Sequence, residues 1–324
     1  MYPVAKCAQP LLLICAFLFN IPTARGQDDS CLRHTIQFSL LNHLGQPVAD
    51  LSPSQFVVTY RGKPVRIISI TPSPGPRRVL ILMDASGNLQ STHAFDSDVA
   101  DELLDDLPQG TYVGVMVFAK RPPVTPIFTT DRDSVRKQLQ SFRDDQDLAR
   151  TPKGSTALFD ALHQGKSAFG TAQEGDSLYV ISDGVDHASQ IKWGELDDEL
   201  IRLGIRVFGM RIKWLGVDFG VGDNLPDMIT FTGGSPVVLF LSRVHLDGLP
   251  FTENLRDDAG KKTRSATEID WQARFIADLN KMQIELPEPP RGKREVELRL
   301  VQKSPELFLV FQHTLPPCST AATK

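Results

Sequence analysis

Three short polar clusters in the sequence combine carboxylates with hydroxyl groups. The first cluster contains Asp84, Ser86 and Asn88, the second contains Thr156, and the third contains Asp183. Carboxylate, hydroxyl and amide oxygens are the ligands that hard divalent cations prefer in proteins. We therefore take these five residues as candidate ligands of a cation, Mg²⁺ in the first place, with Mn²⁺ or Ca²⁺ as alternatives.

The segments around these clusters alternate between strand and helix patterns from Arg78 onward. Apolar runs predict strands over 79–83, 112–118, 177–181, 205–208 and 237–241. Apolar residues at helical spacing lie between them, for example Phe95, Val99 and Leu103. The alternation predicts an α/β fold with an open, doubly wound, mostly parallel sheet. Ligands of such sheets bind at the carboxyl ends of the strands, which is where the polar clusters stand.

The segments that flank this region read as strands with turns between them. Alternating residues predict strands near 36–40, 56–60, 65–70, 293–301 and 307–311. A helix with Trp271, Phe275, Leu279 and Met282 on one face is predicted to run up to the prolines from Pro287, and 251–268 reads as a surface loop. We divide the chain into 1–26, a leader; 27–75, an N-terminal β segment; 76–284, an α/β domain; and 285–324, a C-terminal β segment that packs with 27–75.

The N-terminus has the layout of a secretory signal peptide. Lys6 precedes nine uninterrupted apolar residues, Leu11 to Phe19, and the small-x-small triplet Ala24-Arg25-Gly26 follows. Nine apolar residues fall short of the ~20 that span a bilayer, so we expect no membrane span. Cleavage near Gly26/Gln27 would leave a secreted or periplasmic protein.

Charge and cysteine content limit the kinds of protein that this chain can be. The 324 residues include 35 Lys plus Arg and 39 Asp plus Glu, and removing the leader changes the formal net charge from −4 to −6. This balance gives no support for a nucleic-acid-binding protein. Export would leave two cysteines, Cys31 and Cys318, which either pair as a disulfide or remain thiols. We predict the disulfide.

The polar clusters resemble the metal-ion-dependent adhesion site of von Willebrand factor type A (VWFA) domains. That family has Asp-x-Ser-x-Ser after its first strand, a Thr in a later loop, and an Asp before Gly at the end of a later strand. Asp84, Ser86, Thr156 and Asp183 stand at the matching positions. The resemblance covers about 76–284, and Gly154–Ala161 and Ile181–Asp186 are its more specific stretches. The flanking β segments resemble bacterial exported VWFA-related proteins of the acidobacterial type.

The resemblance implies a division of roles among these residues. Ser86 and Thr156 would contact the cation directly, and Asp84 and Asp183 would act mainly through water. The site would accept an acidic Asp or Glu side chain of a partner protein. Asn88 departs from the family pattern, which has Ser there, so the coordination sphere would have to relax or add a water.

Three functions remain open from the sequence. The first is an exported adhesion module that binds a partner protein through the cation, and the second is a metal-independent scaffold with a vestigial site. A hydrolase is a weaker third, because the sequence has neither a Gly-x-Ser-x-Gly elbow nor an HExxH motif. We therefore predict a binding protein that is not an enzyme and has no catalytic residues.

Overall fold

The structure is a computed structural model of the chain. It describes residues 31–86, 92–119, 125–145, 156–214, 224–241, 255, 259–290 and 294–318. In these ranges the strands are β1 (Arg33–Asn42), β2 (Phe56–Tyr60), β3 (Lys63–Pro72), β4 (Arg78–Asp84), β5 (Tyr112–Phe118), β6 (Ser177–Ser182), β7 (Arg206–Trp214), β8 (Pro236–Leu241), β9 (Asn280–Glu285), β10 (Val296–Leu300) and β11 (Leu307–Phe311). The helices are α1 (His93–Asp106), α2 (Arg132–Asp144), α3 (Leu158–Ala168), α4 (Trp193–Leu203), α5 (Leu225–Thr232) and α6 (Arg264–Ala277).

The middle of the chain forms a parallel sheet of five strands in the order β5-β4-β6-β7-β8. An α/β fold with a parallel sheet is therefore confirmed. The strands lie where the apolar runs predict them, except that β7 continues to Trp214, well past Phe208. Helix α5 has no counterpart among the predicted helices.

Helices cover both faces of the parallel sheet. Val79, Ile81 and Met83 of β4 pack in one core with α1, α2 and α6. Leu80 and Leu82 pack in a second core with α3, α4 and α5. Successive residues of a strand point to opposite faces, so an uninterrupted apolar run is the pattern of a strand buried on both sides.

The two ends of the described chain form a six-stranded antiparallel sheet in the order β10-β2-β3-β9-β1-β11. A bridge between Glu295 and Thr314 joins the chain just before β10 to the chain just after β11, at one end of these two edge strands. The sheet encloses its own apolar core, which includes Phe38, Val58 and Ile284. Three of its strands come from residues 33–72 and the other three from 280–311.

The predicted helix through Met282 is wrong beyond Ala277. Leu279 and Met282 share the helical spacing of Trp271 and Phe275, but α6 ends at Ala277 and Asn280–Glu285 forms β9 between β1 and β3. Pairing with two strands outweighs the local helical pattern. The predicted loop 251–268 is also wrong at its end, because α6 begins at Arg264 and buries Ala266.

The predicted disulfide is not formed. Cys31 and Cys318 lie at the same end of the molecule, but the Cys318 thiol contacts the main-chain carbonyl oxygen of Cys31, at 4.0 Å, and no bond joins the two sulfurs. The predicted leader, 1–26, lies outside the described residues. Among the helices described, none has the length and apolar character needed to cross a bilayer.

Candidate functional site

The candidate site lies at the carboxyl ends of two neighbouring strands. Asp84 is the last residue of β4, and Asp183 follows Ser182, the last residue of β6. β4 and β6 pair in parallel, so their carboxyl ends meet at one edge of the sheet. This edge is where open α/β sheets bind ligands.

Asp84 joins the two strand ends. It is completely buried. One carboxylate oxygen accepts a hydrogen bond from the Ser86 backbone N–H at 2.8 Å, and the other accepts one from the Ser182 hydroxyl at 2.7 Å. Burial and the nearby charge of Asp183 raise the pKa of Asp84 to about 7, while these hydrogen bonds oppose the rise. Asp84 is thus held in place but is costly to keep charged.

Asp183 is held by the turn that follows it. Its Oδ1 accepts a hydrogen bond from the Val185 backbone N–H at 3.0 Å, and only 1% of the residue is exposed. Gly184 has a φ of 81°, a left-handed conformation that glycine adopts without strain. Burial raises the pKa of Asp183, and the charges of His187 and Arg211 work in the opposite direction.

Thr156 lies at the site because its backbone is hydrogen-bonded to the loop after β6. Its carbonyl oxygen accepts hydrogen bonds from the backbone N–H groups of His187 at 2.9 Å and Ala188 at 3.0 Å. The residue is completely buried and lies two positions before α3. The structure therefore ties three of the predicted loops together, those carrying Ser86, Thr156 and Asp183. Asn88 lies outside the described residues.

Three side-chain oxygens of this set are buried without a hydrogen-bond partner in the described part of the chain: Ser86 Oγ, Thr156 Oγ1 and Asp183 Oδ2. The Ser86 hydroxyl lies close enough to lower the Asp84 pKa, but its geometry falls short of a hydrogen bond. A buried polar atom without a partner costs about 1–3 kcal/mol. These three oxygens, at one edge of the sheet, could accept a hydrogen bond or coordinate a cation.

The oxygen atoms fit a hard divalent cation. Hydroxyl and carboxylate oxygens are the donors that Mg²⁺ and Ca²⁺ prefer, and the unpartnered atoms are of those two kinds. Within the described ranges, no three His, Cys, Asp or Glu residues are grouped so that they could hold a metal ion. A cation here would therefore depend on Ser86 and Thr156 as well as on the two carboxylates.

Two acids near the site, Asp186 and Asp96, lie outside the predicted set of ligands. The Oδ1 atom of Asp186 accepts a hydrogen bond from the Phe159 backbone N–H in the first turn of α3, at 3.3 Å. Asp96 was not singled out, yet it is 1% exposed and close enough to Asp84 for their charges to interact. Its signal in the sequence is an acid four residues before Ala100, on the apolar stripe of α1.

His93 and His187 each follow one of the predicted site loops in the sequence, but they have different environments. The His93 ring packs against Phe142 with ring centres 5.0 Å apart, and burial lowers its pKa to about 4. His187 interacts electrostatically with Asp183. Of the two, His187 is the one that the structure links to the candidate site.

Comparison with protein-family models gives one match. Residues 79–185 match the family model described as von Willebrand factor type A domain. Among proteins with curated descriptions, none has a sequence that matches this chain significantly.

Solved structures with a similar arrangement include three of different origin. A von Willebrand factor type A protein from Catenulispora acidiphila is 10% identical, with a TM-score of 0.43, covering 86% of this chain and 72% of that one. The conserved hypothetical protein BatB from Bacteroides thetaiotaomicron is 20% identical, with a TM-score of 0.36, covering 62% and 86%. Proximal thread matrix protein 1 from the mussel byssus, with a zinc-occupied MIDAS motif, is 17% identical, with a TM-score of 0.40, covering 54% and 46%.

Proposed function

Because residues 79–185 form a von Willebrand factor type A domain, we propose that this protein is an exported binding module that captures a partner protein through a divalent cation. Domains of this family commonly mediate protein–protein interactions and are typically not enzymes. The observation that carries the proposal is the set of buried, unpartnered oxygens of Ser86, Thr156 and Asp183. An adhesion site needs such oxygens, whereas a purely structural loop would hydrogen-bond them.

The cation in this proposal is Mg²⁺, with Mn²⁺ or Ca²⁺ as substitutes. Ser86 and Thr156 would supply hydroxyl oxygens to it, and Asp84 and Asp183 would act mainly through water, as the family resemblance implies. The carbonyl oxygen of Asn88 would complete the set contributed by the chain. When bound, the cation supplies positive charge at the edge of the sheet, which attracts an acidic group.

The chain's own residues prepare the site for this role. Ser182 and the Ser86 backbone orient the Asp84 carboxylate, and the Val185 backbone orients Asp183. Their positions are set before any ligand arrives, so binding costs little reorganisation. Because the hydroxyl oxygens of Ser86 and Thr156 are neutral and the two carboxylates would act mainly through water, the cation would keep positive charge at its open position, where an Asp or Glu side chain of the partner would bind.

Export rests on the leader at 1–26, with cleavage near Gly26/Gln27 and a secreted or periplasmic location. In the exported protein, a doubly wound α/β domain would lie between two halves of a β module. Presenting the adhesion site on this support is the role we assign to the six-stranded sheet.

One alternative keeps the module but removes the cation from its function. Arg211 is buried beside Asp183, and its Nε donates to the Asp183 carbonyl oxygen at 3.4 Å. Such a guanidinium supplies part of the positive charge that a metal would supply. This contact favours a metal-independent scaffold with a vestigial site as the second candidate.

Partner capture distinguishes the two functions. The mature protein is immobilised and exposed to the exported proteins of its own cell in Mg²⁺, in EDTA, and as the Asp183→Asn variant. We expect specific proteins to be retained by the wild type in Mg²⁺ and lost in the other two cases. Identical retention in all three would exclude cation-dependent adhesion and support the scaffold.

A further inference from the structure

Asp96 is a buried acid outside the four-residue adhesion pattern. It lies in the first turn of α1, the helix that follows the loop after β4. The Thr92 hydroxyl donates a hydrogen bond to its Oδ2 at 3.0 Å, which fixes the orientation of the carboxylate. Its other oxygen, Oδ1, is buried and has no hydrogen-bond partner in the described part of the chain.

Within the described part of the chain, the charges that act appreciably on Asp96 come from other acids. Among the described groups, Asp84 and Asp98 are those whose charges act on it appreciably, and both raise its pKa in addition to the larger effect of burial. Asp183, by contrast, has Arg211 and His187 nearby. Burying a carboxylate that lacks a positive neighbour is strongly unfavourable unless something else supplies the charge.

Two other buried acids of this chain, Asp176 and Asp278, have their charge balanced. Asp176 forms an ion pair with Arg78 at 2.6 Å and accepts a backbone hydrogen bond from Gln173. Asp278 accepts the Leu40 N–H at 2.9 Å and interacts with the charge of Arg206. Asp96 differs from these two acids in having one unpartnered oxygen and, among the described groups, other acids as the charged groups that act on it.

We infer that Asp96 is a further positioning residue of the proposed cation site, and that its Oδ1 accepts a hydrogen bond from a water bound to the cation. The inference rests on the proposed function. Within the described residues, no three His, Cys, Asp or Glu side chains are grouped closely enough to hold a metal ion, so we assign Asp96 a contact through water and not a direct bond. The unpartnered Oδ1 is the acceptor such a water requires, and the third carboxylate adds to the negative charge that attracts the cation.

Mutation of a residue that hydrogen-bonds to a ligand of a metal ion typically lowers the metal affinity by ~10–100-fold. We therefore expect Asp96→Asn, which keeps the shape of the side chain, to weaken Mn²⁺ binding by about tenfold in calorimetric titration. Asp101→Asn is the matched control, because Asp101 lies on the same helix but is half exposed and paired with Arg136. The control is expected to bind Mn²⁺ like the wild type.

Thermal unfolding in EDTA separates this role from a structural one. Since Asp96→Asn removes an uncompensated buried carboxylate, we expect it to raise the melting temperature in EDTA while reducing the further rise on adding Mn²⁺. A structural role predicts a lower melting temperature under both conditions. Asp96→Ala serves as a second variant. We expect it also to have a higher melting temperature in EDTA and a smaller further rise on adding Mn²⁺.

The outcomes also separate this inference from the proposed function. If the wild type binds no Mn²⁺ or Mg²⁺, the proposed function fails and the inference fails with it. If the wild type binds Mn²⁺ and Asp96→Asn binds it equally well, only the role of Asp96 is overturned. A fall in melting temperature in EDTA for both Asp96 variants would overturn it as well.

Discussion

The amino end and the carboxyl end of the parallel sheet both bury charged groups, but they satisfy them differently. At the amino end, Arg206 begins β7 and is completely buried. It donates hydrogen bonds to the Ser39 hydroxyl at 2.9 Å and to the carbonyl oxygens of Phe275 at 3.0 Å and Ile276 at 3.1 Å. Burial and Arg77 lower the pKa of Arg206 to about 9, and the charge of Asp278 opposes this effect.

At the carboxyl end, the buried oxygens of Ser86, Thr156 and Asp183 have no such partners in the described residues. At the amino end, Nε is the one atom of Arg206 that lacks a partner. The first network joins the two sheets through Ser39 of β1 and the end of α6. Where buried polar groups of the amino end are paired within the chain, the unpaired set at the carboxyl end is the feature on which the proposed cation site rests.

The largest predicted effect is at the amino end. Arg206→Met removes the guanidinium hydrogen bonds to Ser39 and to the carbonyl oxygens of Phe275 and Ile276, together with the charge that faces Asp278. We expect it to lower the free energy of unfolding by about 3–5 kcal/mol, measured by urea denaturation. We expect the folded fraction of this variant to bind Mg²⁺ with the affinity of the wild type. Arg66→Met is the control, because its exposed ion pair with Glu285 contributes less than about 1 kcal/mol. Equal losses for the two variants would refute the proposed importance of the buried network.

Two fully buried serines allow a matched comparison of the two ends. The Ser39 hydroxyl donates to the Phe275 carbonyl oxygen at 2.9 Å and accepts from Arg206, whereas the Ser86 hydroxyl has no partner in the described chain. In EDTA, we expect Ser39→Ala to lower the free energy of unfolding by about 1–3 kcal/mol and Ser86→Ala to leave it unchanged or raise it. For Mg²⁺ affinity we expect the opposite order: Ser86→Ala weakens Mg²⁺ binding, and Ser39→Ala leaves it unchanged. If Ser86→Ala is as destabilising in EDTA as Ser39→Ala, the contrast between the two ends is wrong.

A smaller effect is expected from Asp197 of α4, which lies away from both ends. Burial and the charges of Asp198 and Asp227 raise its pKa to about 7, and Arg294 opposes the rise. The unfolded chain has a pKa near ~4 for this group. The folded protein therefore retains a proton that the unfolded chain has lost, and stability falls as the pH rises from ~4 to about 7.

Asp197→Asn lacks this pH dependence. Relative to the wild type in EDTA, we expect the variant to gain stability between pH 5 and pH 8, as measured by urea denaturation at the two pH values. A constant difference would mean that Asp197 titrates normally in the folded protein. A growing deficit at pH 8 would mean that its ionised form is stabilised by Arg294.

Much of the α/β domain could be predicted because strands buried on both faces leave long apolar runs. Residues 112–118 and 177–181 are of this kind. Strand β9 could not be found in this way, since Met282 fits both a helical spacing from Trp271 and the alternation of a strand. Its pairing with β1 and β3 decides the outcome, and that is a long-range interaction. Helix α5 is only eight residues long, and its start at Leu225 and its end before Gly233 are weak local signals.

The location of the candidate site could be predicted from chemistry and strand direction together. The predicted residues lie at the edge where the parallel strands end: Asp84, Thr156 and Asp183. Hydrogen bonds from the Ser182 hydroxyl to Asp84 and from the His187 backbone N–H to Thr156 hold these segments together. Asp96 could not be predicted as a site residue. Its spacing from Ala100 is a weak signal, because an acid in the first turn of a helix is common at exposed positions. Its burial depends on the packing of α1 against the sheet, which short-range patterns do not contain.

The central claim, that the unpaired oxygens await a cation, is tested most directly by a thermal-shift titration with Mg²⁺ after EDTA treatment. For a cation that binds only the folded state, stabilisation follows RT ln(1 + [L]/Kd), or about 2.7 kcal/mol at a hundred times Kd. We predict that the wild-type melting temperature rises steadily with Mg²⁺ and that the Asp183→Asn variant does not respond. A wild-type melting temperature independent of Mg²⁺, or an equal rise in the variant, would contradict the account.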